Sequence, residues 1–132
     1  MLQYAYTILY VPDVRASIEF YETAFDFSRI FISPENDYGE LESGPTRLAF
    51  ATHELAHSNF SGGFRASQAS EPPLGIELAF TTTELSAAVE RAVQAGARVL
   101  RPIEEKPWGQ RVAYLRDRDG FLIELCTPMS QD

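Results

Sequence analysis

Two kinds of hydrophobic spacing alternate along the chain, and they recur in the same order in each half. Residues 6–11, YTILYV, are rich in β-branched and aromatic side chains, the composition of a strand. In VRASIEFYETAF, Val14, Ile18, Tyr21 and Phe25 recur at i, i+4, i+7 and i+11, which gives a helix one apolar face. Asp13 stands just before this segment, where a short acceptor side chain satisfies the first unbonded N–H groups. SRIFIS, YGELES and TRLAFAT follow as three short apolar-rich stretches separated by Pro, Asn and Gly, and read as strands.

The second half repeats this order. GIELAFT is a strand, and Thr83 is a candidate cap for ELSAAVERAVQAG, a helix expected to bury Leu85, Ala88, Val89, Ala92 and Val93 and to end at Gly96. RVLRP, QRVAYLR and FLIELCT are strands, the last two joined by a turn at Arg118-Asp119-Gly120. Ile18 and Val89 hold like places on the two helices, 71 residues apart, which points to an internal duplication. The expected fold class is α+β: two tandem β-α-β-β-β modules, about 1–57 and about 75–128, within one domain spanning 1–132. ELAHSNFSGGFRASQASEPPLG lies between them, and its Ser, Ala, Gly and Pro content reads as a linker over about 58–74.

Composition narrows the function. With 132 residues and 45% hydrophobic content the chain can bury a real core. Nineteen acidic against eleven basic residues give a net charge of −8, and no Lys/Arg stripe is present to neutralise phosphates. Nucleic acid is therefore not an expected partner, while a cationic ligand would be attracted over long range. The start, MLQYAYTILYVPD, has no basic region, no small-residue cleavage site and an early Pro12, so neither secretion nor membrane spanning is expected. A single cysteine, Cys126, cannot form an internal disulfide and suits a reducing, cytoplasmic setting; with no histidine beside it, it is expected to be inert.

Residues 53–57 read HELAH, the spacing that places two imidazoles and a general-base carboxylate around zinc on one helix face. The motif sits where TRLAFAT runs out into the linker, leaving room for a turn or so of helix, and the chain holds no third histidine. His53 and His57 are therefore expected to be solvated side chains at the linker mouth. Asp117 and Asp119 around Gly120 lack the further ligands of a calcium loop and read as a turn.

YVPDVRASIEFYETAF near the start and WGQRVAYLRDRDGFLIELCTP near the end, on the duplicated plan, resemble the glyoxalase/bleomycin-resistance/extradiol-dioxygenase superfamily, also called vicinal oxygen chelate. The resemblance implies that the modules curl a mixed sheet around a cavity, and that metal-dependent members bind a divalent ion through the first and last strand of each module. Carried over, those positions are Tyr6 and Glu77 on the first strands and Phe50 and Glu124 on the last. Strand alternation puts Glu77, Ala79 and Thr81 on one face and Ile76, Leu78 and Phe80 on the other. Phe50 cannot ligate and a neutral Tyr6 is a poor ligand at pH 7, so no metal is expected; if one binds, Zn, Ni, Mn or Fe would sit at Glu77 and Glu124.

The candidate catalytic residues are thus Glu77 and Glu124, two inward carboxylates that repel and can raise one another's pKa. The bland alternative is that Arg111 or Arg47 neutralises them as a structural ion pair. Tyr6, Tyr10, Phe50, Trp108 and Arg111 are the candidate ligand contacts, with Tyr38 and Tyr114 as weaker ones. The expected function is binding of a small molecule in an aromatic, carboxylate-containing cavity. The alternatives are a metal-dependent lyase, isomerase or dioxygenase acting on a small carbonyl compound or conjugate, and sequestration of a cationic ligand as the bleomycin-resistance likeness suggests. The resemblance also implies a homodimer.

Overall fold

A computed structural model describes residues 1–129. The chain divides into two compact units, Met1–Ala66 and Ser67 onward. In the first, β1 (Tyr6–Val11) leads into α1 (Val14–Phe25), followed by β2 (Ser28–Ile32), β3 (Tyr38–Glu42), β4 (Arg47–Thr52) and a short α2 (His53–Asn59). In the second, β5 (Glu77–Thr81) leads into α3 (Leu85–Ala95), followed by β6 (Arg98–Glu105), β7 (Arg111–Arg116) and β8 (Leu122–Cys126). Each unit is an open four-stranded mixed sheet, ordered β1-β4-β3-β2 and β5-β8-β7-β6, with the first strand parallel to the last and the other pairs antiparallel. The duplicated α+β plan stands. Each sheet is open rather than closed on itself.

α1 forms where the apolar spacing places it. Asp13 Oδ1 accepts from the Ala16 N–H at 3.1 Å, and Val14, Ile18 and Tyr21 are fully buried. The helix lies so close to the sheet that a Cβ on Gly39 would stand 2.5 Å from Ile18 Cδ1 and 3.1 Å from the Phe31 carbonyl. In α3, Gly96 ends the helix at φ 114°, as its sequence position requires. The cap differs: Glu84 holds that place with no side-chain bond, and the Thr82 hydroxyl, not Thr83, accepts from the Glu84 N–H at 3.0 Å. Val93 is exposed rather than inside, because the narrow buried stripe runs through Leu85 and Ala92 and leaves Val93 on its flank.

The segment between the two sheets is largely committed to one unit or the other. α2 runs for seven residues, longer than a turn, because the Thr52 hydroxyl caps it by accepting from the Leu55 N–H at 3.1 Å. Phe64 then packs on its own unit, stacked on His57 with ring centroids 4.5 Å apart and 4.8 Å from Tyr10. From Ser67 the chain belongs to the second unit. The buried Arg116 guanidinium donates to the carbonyls of Gln68 at 2.9 Å, Glu71 at 2.6 Å, Ala69 at 3.3 Å and Gly120 at 2.8 Å. Gly120 has φ +90°, and a Cβ there would meet the Gln68 carbonyl carbon at 2.7 Å. Ser67 adds a hydroxyl bond to the Asp119 carbonyl at 2.9 Å.

Candidate functional site

Strand parity decides which side chains can act together. In the second unit, Leu78, Phe80, Ala113, Leu115, Ile123 and Leu125 alternate onto the side that α3 covers. The opposite face has no helix on it, and Glu77, Ala79 and Thr81 are exposed along β5 there. Glu124 is directly across from Ala79 on one side and from Tyr114 on the other, and Glu77 lies one pleat along, across from Leu122. Glu77 and Glu124 are therefore diagonal neighbours, close enough for their carboxyl groups to meet.

They do approach, and Glu124 acts on Glu77 as a hydrogen-bonding neighbour. Desolvation first, then this bond and the Glu124 charge, raise the Glu77 pKa above the ordinary carboxyl value. Tyr114 also bonds Glu124, and burial together with that acidic neighbour raises the phenol as well, so it stays a hydrogen-bond donor. Cys126 shares the face. Burial, then the Glu124 contact, push its thiol up to about 11, and Sγ–H donates to the Phe80 carbonyl at 3.7 Å. The thiol is thus a packed donor and not a nucleophile.

The same face of the first unit carries different chemistry. Glu40, buried, accepts from the Tyr38 hydroxyl at 2.7 Å and from Arg47 Nη1 at 2.9 Å. Burial, the bond to Glu40 and the contact with Tyr6 raise the Tyr38 phenol above its ordinary value. This carboxylate is neutralised within its own unit, whereas among the described residues no Lys or Arg pairs with Glu77 or Glu124.

The other expected site residues are placed as follows. Tyr6 lies on the helix-free face of β1, in contact with Tyr38, and Tyr10 on the same face touches Phe64. Trp108 is exposed in the β6–β7 loop, its Nε1–H held by Gln110 Oε1 at 2.8 Å, and Gln110 in turn donates to the Thr127 carbonyl at 2.8 Å. Phe50 must be corrected. The register sets Ala49, not Phe50, across from Ile8, as Glu124 is set across from Ala79, so Ala49 holds the position equivalent to Glu124. Phe50 points to the helix side, fully buried, with its ring 5.1 Å from that of Tyr21. Arg111 alternates with Val112 and Tyr114, so it is off the Glu124 face, and Arg47 is the partner of Glu40.

Of the two histidines, His53 departs from the solvated picture while His57 stays exposed. Both pack on Phe64, and His53 is half-buried, with Nε2 out of solvent and unbonded among the described residues. No group of three His, Cys, Asp or Glu side chains is arranged to hold a metal ion among those residues. At the carboxylate face of the second unit a divalent ion would find two protein carboxyl groups, Glu77 and Glu124. That donor set does not fit the three or four protein ligands of a resident ion.

The sequence offers Tyr114 only as a weaker ligand candidate, and Glu40, on the matching face of the first unit, not at all. Tyr114 follows from counting outward from the turn closed by the Asp117 N–H to Phe121 carbonyl bond, which sets it opposite Glu124. Glu40 carried no signal, because a lone Glu in YGELE reads as a solvated strand position until Arg47 and Tyr38 are seen around it.

The Glyoxalase/Bleomycin resistance protein/Dioxygenase superfamily model matches residues 3–125. An uncharacterized protein of Mycobacterium bovis is 29% identical over 125 residues, spanning 93% of this chain and 82% of that one. A Mycobacterium tuberculosis protein, also uncharacterized, shows the same identity over 73% of its length. Among solved structures, a glyoxalase-related enzyme from Fulvimarina pelagi superposes with a TM-score of 0.82 at 26% identity, covering 97% of this chain and 89% of that one. A glyoxalase/bleomycin resistance protein/dioxygenase family enzyme from Burkholderia phytofirmans gives 0.72 at 22% identity, covering 93% and 96%, a likeness of fold alone.

Proposed function

This chain belongs to the Glyoxalase/Bleomycin resistance protein/Dioxygenase superfamily, and from that premise we propose that it binds a small molecule on the helix-free face of its second sheet through Glu77 and Glu124. The observation that supports this is the diagonal placement of Glu77 and Glu124 on one face, with Tyr114 beside them and no basic side chain bonded to them among the described residues. Like charges held together without a counter-ion raise each other's energy, and a ligand that brings a cation or a shared proton relieves this. The net charge of −8 favours the same class of ligand at long range. If the bound molecule reacts, Glu77 and Glu124 are the groups placed to exchange a proton with it. We place the protein in the cytoplasm as a homodimer; among the described residues no helix is long and apolar enough to cross a membrane.

The test is titration calorimetry with 4-methylbenzylamine between pH 5 and pH 8. Affinity is expected to rise with pH as Glu77 loses its proton, and to fall roughly tenfold in E77Q or E124Q, with the pH dependence gone. Equal affinity in wild type and both variants, or a stoichiometric divalent ion that E77Q releases, contradicts the proposal.

A further inference from the structure

The row of residues that crosses the second sheet through Glu124 continues beyond Tyr114. On the edge strand β6, the residue across from Tyr114 is Arg101, so one face carries Ala79, Glu124, Tyr114 and Arg101 in successive strands. β6 is irregular on both sides of this point: its register slips between Val99 and Arg101 and again between Arg101 and Glu104. Bulges re-aim side chains and cluster beside active sites. Here two of them bracket one arginine and leave it in register with the row.

Arg101 is exposed, and among the described residues its guanidinium has no ion pair or hydrogen bond. The nearest acid along its own strand, Glu104, is taken by Lys106 at 3.6 Å. Two strand spacings separate Arg101 from Glu124, on the order of 10 Å between backbones. An arginine at one end of this span offers a planar fork that matches a carboxylate or a similar oxyanion. The carboxyl pair stands at the other end, and the Tyr114 ring lies between them.

We propose that Arg101 is the anion anchor of this face, so that its ligands are bipolar. A cationic or proton-sharing group goes to Glu77 and Glu124, a flat middle lies over Tyr114, and a carboxylate or related oxyanion meets the guanidinium. The inference rests on the carboxylate reading above and adds a second recognition point and a substrate class. It also accounts for how an acidic protein would accept an anionic group at all: the group arrives beside the one cation of the row.

The experiment compares two probes that differ only at one end, 4-(aminomethyl)benzoate and 4-methylbenzylamine, by titration calorimetry on the full chain. Wild type is expected to prefer the carboxylate-bearing probe by roughly tenfold. R101M should abolish that preference while leaving the affinity for 4-methylbenzylamine unchanged. R98M, which removes a charge from the same strand but from a different row, should keep the preference. If wild type binds both probes equally, or R101M keeps the preference, or R98M loses it as well, Arg101 is not the anchor, although the carboxylate site stands. If neither probe binds, or binding ignores E77Q and E124Q, the carboxylate reading fails and this inference falls with it.

Discussion

At the scale of single residues, the face of the second unit turns on which atom holds a proton. Tyr114 and Glu77 both lie against Glu124, and burial together with that acidic neighbour raises the pKa of each above its ordinary value. Cys126 shows how the same surroundings silence a group. Its ordinary value of 9.0 becomes about 11, because burial and the neighbouring Glu124 disfavour the thiolate. The native protein at pH 8 should therefore react with iodoacetamide about a hundredfold more slowly than the urea-unfolded chain, in proportion to the lost thiolate fraction. Native alkylation at the unfolded rate would show that Cys126 is neither buried nor beside Glu124. The family resemblance, with strand alternation, identified Glu77 and Glu124 as a pair. Those cues could not exclude Phe50 or Arg111, since both errors come from strand register, and a one-residue slip moves a side chain to the other face.

Among the elements, those with a local cause were legible and those with a tertiary cause were not. α1 follows from Asp13 and a four-residue apolar rhythm, and its expected limits match the observed Val14–Phe25. α3 has a weaker rhythm, and the expected inward Val93 faces solvent. The linker is the largest departure. Its Gly, Ser and Pro content reads as loose chain, yet Gln68, Ala69 and Glu71 lend their carbonyls to Arg116, a residue more than forty positions away in sequence. No local pattern could announce that bond set. Arg116→Met should cost roughly 3 kcal/mol by leaving several carbonyls without their donor. Hydrogen exchange would then quicken at residues 67–71 and at the β7–β8 turn but not in α1. Unchanged exchange at 67–71 would mean that Arg116 does not hold the segment.

For the whole molecule, duplication supplied a frame and divergence supplied the chemistry. The two units share strand order and sheet register, so Tyr6 and Glu77 are equivalent, as are Ala49 and Glu124. In the first unit the acidic group of this face, Glu40, is neutralised by Arg47 and Tyr38. In the second the acids are left with each other. That contrast is why the functional proposal rests on one unit, and it is open to direct measurement. The measurement is a carbon-13 NMR titration of the glutamate side-chain carboxyls in wild type and E124Q. A Glu77 midpoint above 4.5 in wild type, falling toward that ordinary value in E124Q, is the result expected of the paired carboxyls. A Glu77 carboxyl that titrates at its ordinary value in both proteins would contradict it, and the site would lose its central pair.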